Sequence, residues 1–368
     1  MCGTGYGFSV EQEEVEKLPE VPEIKSGQAL PKILIADSKA GWADSVKTLM
    51  GSLYDGQNLY FDYTGIRPEG ARLNTMGGRA SGPAPLVKLH DFIRETMHNA
   101  QGRKLTTLEA HDICNQIAEI VVVGGVRRSS QISLSDLDDN DMRHAKEWPF
   151  PIKRAMANNS AVFREKPSAA DFLVEWGALA KSGTGERGIF NLEAAQNRAP
   201  PRRYAPKIQG TNPCGEIMLR DMQFCNLSEV VIRADDDLDT LLDKVETATW
   251  LGVIQATFTD FPYLRKEWKK NCDVERLLGV SLTGQMDNPS ILTSECLKAL
   301  KSRVLRISRK AADILDINVP VATTCVKPSG TVSQLVDSAS GVHPRYSQYY
   351  IRRYRISSRD PLFAMMKR

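Results

Sequence analysis

The spacing of apolar residues along the chain predicts five helices. In each of them apolar side chains recur at intervals of three and four residues, the period of one helix face. Two have start signals: Glu109 lies in the first turn after Thr106 or Thr107, and Ser168 is in an N-cap position. The predicted helices cover about 85–99, from 106 or 107 to about 121, 168–183, 239–257 and 294–315.

Short β-like runs lie between these helices, which indicates an α/β protein. The predicted strands are 160–163, 188–191, 229–232 and 320–326. The stretch 11–31 is rich in Glu, Lys and Pro and is typical of a solvated connection. The run 33–35 is too short to assign.

Composition narrows the class of protein without identifying a partner. The chain has 368 residues, 42% hydrophobic and 25% charged, so it is long enough to bury a core without disulfides or metals. A net charge of +3 predicts no nucleic-acid-binding face. No secretory signal opens the chain and no apolar run reaches the roughly 18 residues that span a bilayer, so we expect a cytoplasmic protein without a membrane partner.

The seven cysteines do not form a disulfide scaffold. Their number is odd, no CxxC pair occurs, and no Cys/His cluster has the spacing of a zinc site, so no metal is predicted. In the cytosol, a functional thiol pair is expected to be redox-active rather than structural.

Cys214 lies in an unusual local sequence, Gly-Thr-Asn-Pro-Cys-Gly-Glu-Ile. Pro213 and Gly215 flank it, so its backbone cannot continue a helix or a strand. The pattern predicts a tight loop that presents a thiol, with Asn212 two residues before and Glu216 two residues after. Two interpretations fit the residues alone: a buried structural cysteine beside a solvated glutamate, or a reactive thiol with its own acid–base partner.

The wider motif pattern resembles one enzyme family. The loop Asn-Pro-Cys-Gly-Glu followed by a second cysteine, Cys225, resembles the finger loop of ribonucleotide reductase large subunits, in the form typical of the adenosylcobalamin-dependent class II enzymes. The finger loop covers about 208–228. Four other segments resemble the same family, and in the same order: 2–9, 78–83, 123–130 and 327–333.

This resemblance implies roles for five residues in the radical reduction of ribonucleotides to deoxyribonucleotides for DNA synthesis. Cys214 would be the thiyl radical that abstracts the 3′-hydrogen, formed with adenosylcobalamin. Glu216 would be the base toward the 3′-hydroxyl, and Asn212 would bind the substrate and order that carboxylate. Cys2 and Cys225 would be the reducing pair and end as a disulfide, which requires Cα atoms roughly 4.4–6.8 Å apart.

A second segment, about 327–334, resembles the family's substrate-phosphate loop. Hydroxyls and backbone N–H groups where a turn enters a helix form a ready anion site. An ordinary N-cap turn is the alternative on these residues alone. The predicted phosphate-binding residues are Ser329, Gly330, Thr331, Val332 and Ser333.

The resemblance also predicts a fold and a set of partners. The family has a ten-stranded α/β barrel, and we expect residues 1–368 to form an incomplete one, because the usual regions before Cys2 and after the phosphate loop are missing. A split gene, an intein-interrupted gene and a truncated reading frame would each explain this. The expected partners are a ribonucleoside triphosphate, a companion polypeptide and a thioredoxin-like or dithiol reductant.

Two other hypotheses remain open at this point. A class I large subunit would need a late tyrosine pair, and the pair Tyr349-Tyr350 lies too near the phosphate loop for that role. The other alternative is an inactive remnant that still binds nucleotide. The remaining cysteines, which we interpret as packing residues, are Cys114, Cys272, Cys296 and Cys325.

Overall fold

We describe the protein from a computed structural model, which places residues 5–25, 32–73, 79–121, 130–351, 353 and 361–367. The chain divides into two compact units. The first unit comprises residues 1–191 and 353–368, and the second comprises residues 192–352. Among the helices described, none is both long and apolar enough to cross a membrane.

The first unit contains six strands and seven helices in its described part. Numbered along the whole chain, its strands are β1 (Gly5–Ser9), β2 (Ile33–Leu34), β3 (Phe61–Asp62), β4 (Ser130–Ser135), β5 (Ala157–Phe163) and β6 (Gly188–Asn191). Its helices are α1 (Gln12–Val15), α2 (Lys39–Tyr54), α3 (Ala84–Asn99), α4 (Thr107–Glu119), α5 (Asn140–Arg143), α6 (Ala169–Ser182) and α12 (Pro361–Met366).

A parallel sheet and a helical core hold the first unit together. The sheet has the order β1-β4-β5-β6, and each neighbouring pair is parallel. Helices α2, α3 and α4 bury their apolar faces together, and the pair β2–β3 adds Phe61 to the same cluster. Fully buried residues of this cluster include Leu49, Leu53, Leu86, Leu89, Ile93 and Met97.

The second unit is built around a parallel strand pair covered by two long helices. Its elements are α7 (Leu192–Asn197), β7 (Gly210–Thr211), β8 (Met218–Leu219), β9 (Asn226–Val231), α8 (Leu238–Gln255), α9 (Lys266–Glu275), β10 (Leu278–Thr283), α10 (Ser294–Leu315) and α11 (Val332–Leu335). Strand β9 pairs with β10. Val230 and Val280 point from these strands into an apolar core with α8 and α10, which includes Leu241, Val245, Leu300 and Val304.

All five predicted helices are present, and their caps explain the agreement. Thr106 and Glu109 form a reciprocal capping box at α4. Ser168 caps α6, and Gly183 ends it with φ +67° in the left-handed region. The sequence analysis missed other helices, of which the longest are α2 and α9.

Two sequence predictions are corrected. The run 320–326 is not a regular strand. It follows β10 through backbone hydrogen bonds, such as those from the Val280 N–H to the Thr323 carbonyl and from the Cys325 N–H to the Val280 carbonyl, but in this described segment only Thr324 forms a β-bridge. The stretch 11–31 is not wholly solvated: Val15, Val21 and Ile24 are buried. The α/β class is confirmed, whereas the strands of the described residues do not close into a barrel.

Candidate active site

The segment around Cys214 is the loop of a short hairpin in the second unit. Strands β7 and β8 pair antiparallel, with Thr211 opposite Met218. A tight turn follows β7, in which the Gly215 N–H donates to the Asn212 carbonyl at 3.0 Å. Gly215 has φ +82°, a conformation that side chains with a Cβ rarely adopt. The glycine is therefore needed for the turn itself.

Hydrogen bonds from Asn212 fix the carboxylate of Glu216. The Asn212 amide Nδ2 donates to Glu216 Oε2 at 2.7 Å, and its Oδ1 accepts from the Ile217 N–H at 3.0 Å. The Thr211 hydroxyl donates to the Ile217 carbonyl at 2.9 Å. The side chain of Asn212 thus bridges the two ends of the loop and holds the carboxylate beside them.

The two cysteines of the finger loop have opposite environments. Cys214 is exposed at the tip of the loop, whereas the preceding Pro213 is buried. Cys225, directly before β9, is half-buried, and burial raises the pKa of its thiol well above the usual value, as do the neighbouring Cys325 and Glu216. Cys225 therefore stays protonated at neutral pH.

A buried ionic network contacts the finger loop where β8 ends. The Arg203 guanidinium is 2.9 Å from Glu275 Oε2, and it donates to the Met218 carbonyl at the end of the hairpin. The Gln223 side chain donates to Glu275 at 2.8 Å and accepts from the Arg220 N–H. All three members of the network, Arg203, Gln223 and Glu275, are less than a tenth exposed. Their pairing fixes β8 relative to the segment that leads to Cys225.

The two faces of the β9–β10 pair have different neighbours. Val230 and Val280 face the helices, so the alternate residues face the other way. On that opposite face, Gly279 pairs with Leu227. A Cβ on Gly279 would lie 2.9 Å from Cys325 Sγ and 3.2 Å from Ile217 Cδ1 of the finger loop. We call this opposite face of the β9–β10 pair, which carries Leu227 and Gly279, the loop face.

Glu229 and Lys327 also lie on the loop face. Glu229 pairs in register with Ser281, and the Ser281 hydroxyl accepts the Lys327 N–H at 2.9 Å. Lys327 Nζ then lies 3.2 Å from Glu229 Oε2. The loop face therefore extends from Cys225, at the start of β9, to the first residue of the predicted phosphate loop.

The predicted phosphate loop is a tight turn followed by the single helical turn α11. Ser329 is buried, and its hydroxyl has no hydrogen-bond partner within the described part of the chain. Gly330 has φ +58°. The buried Ser333 donates to the Gly330 carbonyl at 3.0 Å, and Thr331 and Val332 are exposed. The Ser333 hydroxyl thus closes the turn, while that of Ser329 is left for another partner.

The structure brings most of the predicted site residues into one unit. Asn212, Cys214, Glu216, Cys225 and the 329–333 loop all belong to the second unit. Cys2 lies outside the described residues, as do parts of the segments 78–83 and 123–130.

Sequence reasoning missed the supporting network and the ion pair between Glu229 and Lys327. Charged residues are common in any sequence, and only their burial marks these as unusual. Cys325 was read only as a packing residue. Cys325 lies two residues before Lys327, where the phosphate loop begins, and this position could have indicated that its thiol lies near the candidate site.

Curated relatives match the chain along its whole length. It is 29% identical to an adenosylcobalamin-dependent ribonucleoside-triphosphate reductase of Lactobacillus acidophilus, over all of this chain and 58% of the relative. It is 30% identical to the enzyme of the same description from Levilactobacillus brevis, over 90% of this chain and 49% of the relative. The chain thus spans about half the length of these relatives. No family model matches it.

Solved structures identify the fold of the chain. A B12-dependent class II ribonucleotide reductase superimposes with a TM-score of 0.77 at 24% identity, covering 93% of this chain and 56% of that one. The alpha subunit of a class Id ribonucleotide reductase from Actinobacillus ureae gives a TM-score of 0.50 at 18% identity. Over its whole length the chain is thus similar to adenosylcobalamin-dependent ribonucleoside-triphosphate reductases, and it has the fold of the class II ribonucleotide reductase.

Proposed function

We propose that this chain carries the catalytic loop of a ribonucleotide reductase that converts ribonucleoside triphosphates to 2′-deoxyribonucleotides. The observation that carries the proposal is the finger loop: an exposed thiol at Cys214, with the Glu216 carboxylate held by Asn212 two residues away. The relatives named above supply the substrate class.

In this proposal Cys214 acts as the thiyl radical that removes the 3′-hydrogen of the ribose. A thiol suits this step because its S–H bond is close in strength to the C–H bond it attacks, so that the transfer is reversible. Glu216 accepts the proton of the 3′-hydroxyl, and the Asn212 amide orients both the carboxylate and the substrate. Serine at position 214 has a much stronger O–H bond and would not form the radical.

Cys225 and Cys2 would supply the two electrons of the reduction. Cys225 has its pKa raised by burial, so at neutral pH it carries the proton that the departing 2′-hydroxyl needs. Oxidation of the two thiols to one disulfide releases two electrons and two protons, which balances the loss of the hydroxyl as water. A thioredoxin-like or dithiol reductant would then restore the thiols.

Adenosylcobalamin, when bound, would supply the radical chemistry that takes the hydrogen atom from the Cys214 thiol. The loop suits that role, since the thiol is exposed at its tip rather than enclosed by the hairpin. Residues 327–334 would hold the phosphates of the substrate, with the Ser329 hydroxyl as one donor. A companion polypeptide would provide the regions that the relatives have beyond the aligned half.

The test is deoxynucleotide formation by this chain, co-expressed with the reading frames that neighbour its gene. We expect product only with added adenosylcobalamin, and a loss of at least about a thousandfold in Cys214→Ser, since the group that reacts is removed. Cys296→Ser is the matched control, because Cys296 is buried in α10 and should leave turnover unchanged. Cobalamin-independent product, or equal rates in Cys214→Ser and wild type, would refute the proposal.

A further inference from the structure

The carboxylate of Glu229 is nearly buried, and only one of its two oxygens has a hydrogen-bond partner among the described residues. Its side chain is 10% exposed. Oε2 accepts from Lys327 Nζ at 3.2 Å, whereas Oε1 is buried and has no hydrogen-bond partner among the residues that the structure describes. A buried acceptor without a donor is destabilising by roughly 1–3 kcal/mol, so most buried acceptors in folded proteins are satisfied by the protein, by ordered water or by a ligand.

The place of this oxygen points to the nucleotide site. Glu229 lies on the loop face, between Leu227, at the end of the finger loop, and Lys327, at the start of the phosphate loop. Burial raises the pKa of Cys325 on the same face to about 12, and the nearby charges of Glu216 and Glu229 add to that effect. Carboxylates of the finger loop and of β9 are thus close to one thiol, within one unit of the protein.

The chemistry of the unpaired atom restricts its partner to a hydrogen-bond donor. Phosphate oxygens are acceptors without a proton to donate, and the Glu229 carboxylate would repel them. The donors of the bases differ from one nucleotide to the next, whereas the hydroxyls of the ribose are common to all. A sugar hydroxyl is therefore the one donor that every ribonucleotide offers.

We propose that Glu229 is a further substrate-contacting residue, whose Oε1 accepts a hydrogen bond from a ribose hydroxyl of the bound nucleotide. Lys327 keeps the carboxylate in place through Oε2 and acts as a positioning residue. The inference rests on the proposed function, because it takes the ligand to be a ribonucleotide.

The test compares the affinities of CTP, 2′-deoxy-CTP and 3′-deoxy-CTP for the assembled protein without cobalamin, by titration calorimetry. Glu229→Gln is expected to weaken CTP about tenfold, since the hydroxyl would then donate to a neutral amide in place of a charged carboxylate. The same variant should lower, by the same factor, the affinity for the analogue that keeps the contacted hydroxyl. It should leave unchanged the affinity for the analogue that lacks this hydroxyl. Lys327→Met should give the same selective pattern with a smaller loss, because Lys327 acts only through the Glu229 carboxylate that it holds.

Controls separate this pattern from general damage. Glu246→Gln removes a carboxylate that pairs with Arg303 at 2.6 Å between α8 and α10, and it should change none of the three affinities. If Glu229→Gln does not fold, Glu229→Asp keeps the charge with a shorter reach and should give the same selective loss.

Two results would overturn the inference. If Glu229→Gln weakened all three nucleotides equally, Glu229 would support the site without contacting a hydroxyl. If it changed none of the affinities, a buried water would satisfy Oε1. Failure of the proposed function looks different. In that case no deoxynucleotide forms, whatever the three affinities show.

Discussion

Exposure distinguishes the three cysteines near the finger loop from one another. Cys214 is exposed, whereas burial raises the pKa of both Cys225 and Cys325, the latter to about 12. The thiolate is the nucleophilic form of cysteine, so a raised pKa slows its reactions at neutral pH. Side-chain position therefore assigns each of the three thiols a different reactivity.

Alkylation by iodoacetamide should report this difference. At pH 8 we expect modification of Cys214 first, because only about one in ten thousand Cys325 thiols is ionised four pH units below its pKa. The rate at Cys325 should rise about tenfold for each pH unit up to pH 10, since the thiolate fraction rises by that factor. Peptide mass spectrometry measures both rates.

The Cys214→Ser and Cys325→Ser variants assign the modified positions. Equal rates at Cys214 and Cys325 at pH 8 would show that burial does not control reactivity here.

At the scale of elements, the finger loop packs on β10 through a position without a side chain. A Cβ on Gly279 would lie 2.5 Å from Leu227 Cδ2, 2.9 Å from Cys325 Sγ and 3.2 Å from Ile217 Cδ1. Distances this short require one of these three side chains to move. The approach of the loop to the strand thus depends on this glycine.

Gly279→Ala is expected to destabilise the protein by about 1–3 kcal/mol, the usual range for overpacking, and to displace the finger loop. Gly252→Ala is the matched control in α8. Its added Cβ would meet Leu278 at 3.5 Å, an ordinary contact, and a helical alanine is more stable than glycine by roughly 0.5–1 kcal/mol. Urea unfolding measures both changes. A Gly279→Ala variant as stable as wild type would contradict the close approach.

At the scale of the whole molecule, helix α6 of the first unit leaves a large apolar surface exposed. Glu175 is its one buried residue, and Phe172 and Trp176 stack with ring centroids 6.0 Å apart. Leu173 is 64% exposed and Trp176 is 54% exposed. Contiguous apolar surface of this kind marks interaction sites more often than scattered apolar residues do. The chain also spans only about half the length of its relatives.

We expect the isolated chain to bind an apolar-surface dye through α6. The double variant Leu173→Lys and Trp176→Lys should reduce the dye fluorescence, because it makes this surface polar. Leu251→Lys on α8 is the control, since Leu251 is similarly exposed at 57% but lies outside this cluster. An equal reduction in both variants would show that α6 is not the principal apolar surface.

The local part of the fold could be predicted from sequence because helix signals are local. The capping residues Thr106 and Ser168 and the terminal Gly183 lie within a few residues of the helices they bound. The run 320–326 was wrongly predicted as a strand because apolar content alone does not specify pairing. Strand pairing depends on a partner, here β10, which is distant in sequence.

The sequence by itself determined five of the helices, the α/β class and the position of the candidate catalytic loop. Those features depend on periodicity, caps and a five-residue motif at 212–216, all of which are local. Only the tertiary structure decided which charges are buried and what they face. The orientation of Glu229 toward Lys327, and the network of Arg203 with Glu275, join residues that are 98 and 72 positions apart. Burial and pairing over such separations follow from packing, which no local pattern encodes.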